Sequence, residues 1–178
     1  MKSLNINNQL PKFTNLKGVD GNTYSSDTFK DAPYLLIVFS CNHCPYVKAY
    51  EDRIINFVKE YRDKGLAMLY INSNEDKNYP EDSFDEMVKR AKEKNFLFPY
   101  VRDEDQSVAK AFGATHTPEF FLFDKERTLR YYGRFDDNWR EPENVQRRYL
   151  QDAIDALIEG KEVAEPEAHS IGCTIKWK

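Results

Sequence analysis

Tyr34-Leu35-Leu36-Ile37-Val38-Phe39-Ser40-Cys41-Asn42-His43-Cys44-Pro45 is the stretch that decides how this chain folds. Its first six residues are continuously apolar and partly β-branched, the pattern of a central strand covered on both faces. Pro45 suits the first position of a helix, where a missing N–H costs nothing. Beyond it Val47, Tyr50, Ile54, Phe57 and Tyr61 recur at spacings of three and four, which predicts an amphipathic helix, and Gly65 supplies its left-handed stop. Leu66 to Ile71 reads as a second buried strand. Strand, helix and strand make a βαβ unit with two cysteines at its first strand-to-helix junction.

That position has chemical meaning. The unpaired amides and the dipole of a helix N-terminus stabilise an anion, and a cysteine placed there has its pKa lowered from about 8.5 to roughly 3.5–7.5. Cys41 is therefore the expected nucleophile toward a disulfide. Cys44, nearly one turn later, is the expected resolving thiol that expels the reduced product. His43 stands between them and can add a hydrogen bond or a positive charge near the Cys41 thiolate, which would make the disulfide a stronger oxidant. The chain has only three cysteines, an odd number and too few for a disulfide framework. A CxxC pair in a reducing compartment then points to redox catalysis or metal binding.

Working outward, Asp20-Gly21-Asn22 predicts a tight turn in an N-terminal hairpin. Pro80 opens a helix with Phe84, Met87, Val88 and Ala91 inward, and a short helix near Gln106 to Phe112 is closed by Gly113. Glu119 to Phe123 and Thr128 to Tyr132 read as two strands joined by the polar turn 124–127. The last helix is expected from about Glu143 to Ile158, with Gly160 as its cap. The remaining tail, 161–178, ends in Ile171-Gly172-Cys173-Thr174-Ile175-Lys176-Trp177 and is expected to dock on a unit spanning 1–160.

Bulk properties exclude several function classes. With 26 basic against 30 acidic residues the net charge is −4 and the signs are interspersed, so no nucleic-acid partner is expected. Residues 1–10 carry no apolar run of signal-peptide length, and no stretch approaches the roughly 18 apolar residues of a membrane span. The expected setting is cytoplasmic, away from membranes, with no cofactor.

With Cys41-Asn42-His43-Cys44-Pro45, the Asp20-Gly21 hairpin and Thr117-Pro118 before a strand in hand, the chain resembles the thioredoxin-like superfamily. It is most similar to the redoxin branch, related to alkyl hydroperoxide reductase/thiol-specific antioxidant proteins and cytochrome-maturation thioredoxins. The resemblance implies an α/β, three-layer fold with a central mixed sheet, the N-terminal hairpin, and an inserted helical and strand segment between the CxxC helix and the cis-proline strand. It implies that Pro118 is cis and faces the cysteines, and that Thr117 offers its backbone to a bound substrate. Implied partners are a disulfide-containing protein or small thiol, and a thioredoxin-type or low-molecular-weight thiol reductant. Where thioredoxins carry a tryptophan before the first cysteine this chain has Ser40, and the preceding strand has no acid to serve as a buried proton acceptor. Peroxiredoxins carry a threonine or serine three residues before the attacking cysteine; here that residue is Val38, which favours disulfide exchange over a peroxiredoxin-like thiol peroxidase.

A non-catalytic alternative is a zinc- or protein-binding module in which Cys41, Cys44, His169 and Cys173 supply a ligand set. Cys173 otherwise reads as a small apolar side chain or a third thiol, and His116 as a loop histidine or the rim of the active surface. Arg134, Asp136, Asp137 and Trp139 read as a solvated loop.

Overall fold

The computed structural model describes residues 4–178; residues 1–3, which belong to the expected 1–160 unit and to the stretch read for a leader, lie outside the described residues. The apolar run forms β3 (Tyr34–Ser40), and the elements before it, β1 (Leu16–Gly18) and β2 (Thr23–Tyr24), pair antiparallel as a short hairpin around Gly21. After β3 come α1 (Pro45–Tyr61), β4 (Leu66–Asn72), α2 (Phe84–Glu93), β5 (Tyr100–Arg102) and α3 (Ser107–Phe112). The chain ends with β6 (His116–Thr117), β7 (Glu119–Phe123), β8 (Leu129–Gly133), α4 (Tyr149–Ile158), β9 (Glu167–Ala168) and β10 (Cys173–Thr174).

An eight-stranded mixed sheet in the order β2-β1-β5-β4-β3-β7-β8-β9 forms the middle layer. β3, β4 and β5 run parallel, β7 is antiparallel to both β3 and β8, and β9 runs parallel to β8. β3 lies at the centre, and alternation along it assigns its side chains to the two outer layers. Leu36 and Val38 pack with α1, α2 and α4, through Ile54, Met87 and Ile154 among others. Leu35, Ile37 and Phe39 face the opposite way, onto Val108 and Phe112 of α3 and the N-terminal Leu4, Phe13 and Leu16. Burying each such side chain stabilises by about 1.5–3 kcal/mol, so the doubly covered strand is where the fold is most firmly held.

Three expectations are corrected. The last helix begins at Tyr149, not near Glu143, because Asp137 holds the preceding segment: its carboxylate accepts from the Gln146 amide and its own amide donates to the Arg147 carbonyl. Pro80 opens a single 3-10 turn, Pro80–Asp82, and α2 starts after Ser83, whose hydroxyl caps the Glu86 amide. The loop of Arg134, Asp136, Asp137 and Trp139 is not simply solvated: Asp136 is buried, accepting from Tyr50 and paired with Arg53 of α1. Tyr100–Arg102, which sequence reading left unassigned, completes the parallel set because β4 offers it a free edge.

Candidate active site

Backbone topology brings the site together before any side chain is considered. β3 ends at Ser40, and Cys44 is the N-cap residue of α1, with extended backbone and Pro45 as the first helical residue. β7 pairs antiparallel with β3, Phe39 opposite Glu119. The residues just before β7, Thr117 and Pro118, therefore arrive beside the turn that carries the cysteines. The Thr117–Pro118 peptide bond is cis. Thr117 touches both sulfurs: its Oγ1 lies 3.5 Å from Cys41 Sγ, and its carbonyl oxygen 3.4 Å from Cys44 Sγ, whose S–H can donate to it. Cys41 and Cys44 are 2% and 0% exposed.

The thiols share a proton unequally. Cys44 falls to about 5 because the Cys41 thiol donates to its sulfur, with the Cys173 thiol and the Val47 amide of the first helical turn adding to this against the cost of burial. Cys41 is pushed well above the ordinary thiol value, first by that same bond to Cys44, then by burial and the negative charge of Asp82, with only the Thr117 hydroxyl opposing. Sequence reasoning aimed the helix amides at Cys41. In the structure the first-turn amide reaches Cys44 instead, since Cys44 is the residue that caps the helix.

His43 is turned toward an acid that sequence reasoning did not find. Its Nδ1 lies 2.6 Å from Oδ2 of Asp82, a fully buried carboxylate, and its ring stacks on Tyr79 with centroids 5.9 Å apart. The hydrogen bonds that Asp82 accepts come from the Asn42 amide at 2.7 Å and from the side chains of Asn74 at 2.9 Å and Asn72 at 3.3 Å. Tyr100 donates to Asn42 Oδ1 at 2.8 Å and locks the turn from below. The strand leading to the cysteines lacks an acid, as read; the acid comes instead from the turn after β4. A signal for it existed in the parallel register, which sets Ser40 beside Asn72, so residues following β4 land at the strand ends where the cysteines sit.

Of the readings open for Cys173, the structure favours the one that brings it to the cysteine pair. β10 pairs antiparallel with β6, Cys173 opposite Thr117, and its sulfur lies 2.7 Å from that of Cys44. Burial and the bond to Cys44 push its thiol up to about 12. The expected set of Cys41, Cys44, His169 and Cys173 is not gathered as one metal-binding cluster. His169 lies with His116 and Glu119 in a separate surface recess, where burial and the neighbouring His169 lower the His116 pKa. Among the described residues, the ligand atoms grouped closely enough to hold a metal belong to Cys41, His43 and Asp82, within 4.8 Å of one another. No helix among the described residues is long and apolar enough to cross a membrane.

Comparison with known proteins agrees with this architecture. The Redoxin family model matches residues 5–148. A hypothetical protein from Sinorhizobium meliloti 1021 is 39% identical, with a TM-score of 0.91 over 99% of this chain and 97% of that one. An uncharacterized conserved protein from Geobacillus kaustophilus is 41% identical, with a TM-score of 0.90 over 98% and 93%. A thiol:disulfide interchange protein of the thioredoxin family from Chlorobium tepidum TLS, 18% identical with a TM-score of 0.60 over 74% and 87%, shares the fold. No curated protein matches the chain.

Proposed function

Because the chain belongs to the Redoxin family, we propose that its thiol redox chemistry is disulfide exchange at the Cys41–Cys44 couple, with Cys41 attacking and Cys44 resolving. The observation that carries this reading is the contact of Thr117 with both sulfurs, beside a cis peptide bond to Pro118. One residue thus aligns the dithiol and offers backbone groups at the place where the bond is exchanged.

Written in the reducing direction, the Cys41 thiolate attacks one sulfur of a substrate disulfide and the other substrate sulfur leaves as a thiolate. Cys44 then attacks the Cys41 sulfur, the S–S bond between residues 41 and 44 forms, and the second substrate thiolate departs. The anion rests on Cys44 in the reduced centre. Moving the shared proton from Cys41 to Cys44 places it on the attacking sulfur, and the high affinity of Cys41 for protons makes its thiolate the stronger nucleophile once formed. His43 and Asp82 position the turn and set the charge that Cys41 feels. Thr117 and Pro118 hold the extended segment of a disulfide-containing protein, or a small disulfide, once the C-terminal strand opposite Thr117 is displaced. A thioredoxin-type or low-molecular-weight thiol restores the dithiol, in a reducing, cytoplasmic setting and without a cofactor. Peroxide reduction is disfavoured by Val38, an apolar and fully buried residue where a hydroxyl would be needed.

The deciding measurement is reduction of a model disulfide. Cys41→Ser is expected to abolish turnover, and Cys44→Ser to stop at a mixed disulfide on Cys41 that mass spectrometry detects. Turnover by Cys41→Ser at the wild-type rate sinks the reading. A mixed disulfide trapped on Cys44 in Cys41→Ser exchanges the two roles. Hydrogen peroxide consumption should be negligible.

A further inference from the structure

The edge that the proposed function assigns to substrate is already occupied by the chain's own C-terminal tail. Cys173 sits opposite Thr117 in the β10–β6 pairing, and the Ile175 amide donates to the Thr115 carbonyl at 2.9 Å. Farther along, the Lys176 amide donates to Asn74 Oδ1 at 2.9 Å, while its carbonyl accepts from the Glu75 amide at 2.8 Å. Ile175 is buried with the side chains of the α3 face. The approach is close enough to require Gly172, since a Cβ there would lie 2.1 Å from the Thr117 carbonyl oxygen. A segment held this closely places its one sulfur reproducibly. That sulfur is 2.7 Å from Cys44 Sγ, and of the three cysteines only Cys173 is partly open to solvent.

We propose that Cys173 is a third redox-active thiol of this centre, which takes over the disulfide made between Cys41 and Cys44 and exposes it to the thiol reductant. The proposal rests on the disulfide-exchange reading above. Cys173, as a thiolate, attacks the Cys44 sulfur of the 41–44 disulfide. The bond between sulfurs 44 and 173 forms, the bond between 41 and 44 breaks, and Cys41 leaves as a thiolate that takes up the proton Cys173 released. The chain as a whole is neither oxidised nor reduced in this step. A small thiol then attacks the accessible Cys173 sulfur and Cys44 departs as the thiolate. A second small thiol attacks the mixed disulfide, releasing Cys173 and one molecule of small-molecule disulfide. Cys44 is suited to be the hub, because it is the best leaving group of the three and touches both other sulfurs. The reason for a relay is access: with the tail seated, both Cys41 and Cys44 are closed to an external thiol.

The experiment treats the full-length reduced protein with glutathione disulfide, quenches with acid at intervals, alkylates, and maps disulfides by mass spectrometry. Wild type is expected to pass from a 41–44 to a 44–173 disulfide, and Cys41→Ser, which lacks the attacking thiol and is therefore oxidised with diamide instead, to form the 44–173 bond with no free thiol left. Cys173→Ser and Cys173→Ala, checked for folding by circular dichroism, are expected to form the 41–44 bond and then to be re-reduced by glutathione about tenfold more slowly than wild type. Absence of the 44–173 bond in both wild type and Cys41→Ser, or re-reduction of both Cys173 variants at the wild-type rate, overturns the role of Cys173. The dithiol reading survives that result. It fails separately if Cys173→Ser and wild type form no disulfide at all.

Discussion

Two buried carboxylates attach to the two ends of the same stretch of chain, and they are treated oppositely. Asp136, in the loop after β8, reaches α1, where Arg53 pairs with it at 2.7 Å and the Tyr50 hydroxyl donates to it at 2.8 Å. The Arg53 guanidinium also donates to the Asn138 carbonyl at 2.8 Å. Asp82, in the turn after β4, reaches the residues just before α1 and, among the described residues, has no arginine or lysine beside its carboxylate: amides surround it, and the basic side chain against it is His43, a quarter exposed. An arginine guanidinium is a permanent cation with several donors to share, whereas His43 brings a single ring nitrogen to Asp82. The first arrangement joins a loop to a helix. The second leaves a negative charge free to act on Cys41.

The comparison breaks first at Asp136. Asp136→Ala strands a mostly buried guanidinium, and removing one partner of a buried pair typically costs 3–5 kcal/mol. Urea denaturation should show a loss of about that size, with disulfide exchange per folded molecule unchanged. A loss under roughly 1 kcal/mol, the value of an exposed pair, would mean that Arg53 finds other partners and that the pair is not what fixes the loop.

Asp82→Asn should cost less stability and change more chemistry. The amide oxygen can still accept from the Asn42 N–H, but the new NH2 group faces donors, so a cost of about 1–3 kcal/mol is expected. The charge that helps hold the Cys41 thiol up is gone, so its pKa falls. The rising limb of the exchange rate against pH then moves to lower pH: the variant outpaces wild type below that limb and, with a weaker nucleophile, falls behind on the plateau. An unmoved profile would assign Asp82 a purely structural part, like Asp136.

A smaller effect belongs to the tail. Loss of the Cys173 thiol in Cys173→Ala removes one of the donors that hold the Cys44 thiolate, so its titration, near 5 in wild type, shifts upward. The shift should be smaller than in Cys41→Ala, since the bond from Cys41 is the largest cause. Ultraviolet absorbance of the thiolate reads both, and the reverse order would make Cys173 the principal support of the anion.

Sequence made the centre of this molecule legible and left its periphery obscure for definite reasons. The βαβ unit could be read because strand β3 is covered on both faces and α1 repeats at helical spacing. The cysteine pair sits at their junction by chain continuity alone. Asp82 is 38 positions beyond Cys44 in number but adjacent in space, and its approach depends on the parallel register of β3 with β4, which no local pattern encodes. Residues 143–148 carry apolar and polar side chains in an acceptable helical order, yet after a 3-10 turn at Pro142–Asn144 Asp137 hydrogen-bonds the backbone of Gln146 and Arg147 and keeps the segment out of the helix. The tail shows the same limit: a two-residue strand has no period to detect, and its pairing with Thr117, close enough to exclude a side chain at Gly172, is set by the fold.

A third carboxylate sharpens the comparison by having almost no effect. Asp52, itself on α1, lies 2.8 Å from Lys94 Nζ, close to the 2.7 and 2.6 Å of the two buried acids. Its side chain is 80% exposed, so water screens the attraction and the ordering of two side chains offsets what remains. Asp52→Asn is expected to change the unfolding free energy by no more than about 0.5 kcal/mol, and the difference should vanish in about 1 M salt, where the screening length is near 3 Å. Equal distances with unequal consequences would establish that burial, rather than contact geometry, decides which carboxylates of this protein matter. A cost for Asp52→Asn rivalling that of Asp136→Ala would remove burial as the distinguishing variable, and with it the basis for setting Asp82 apart.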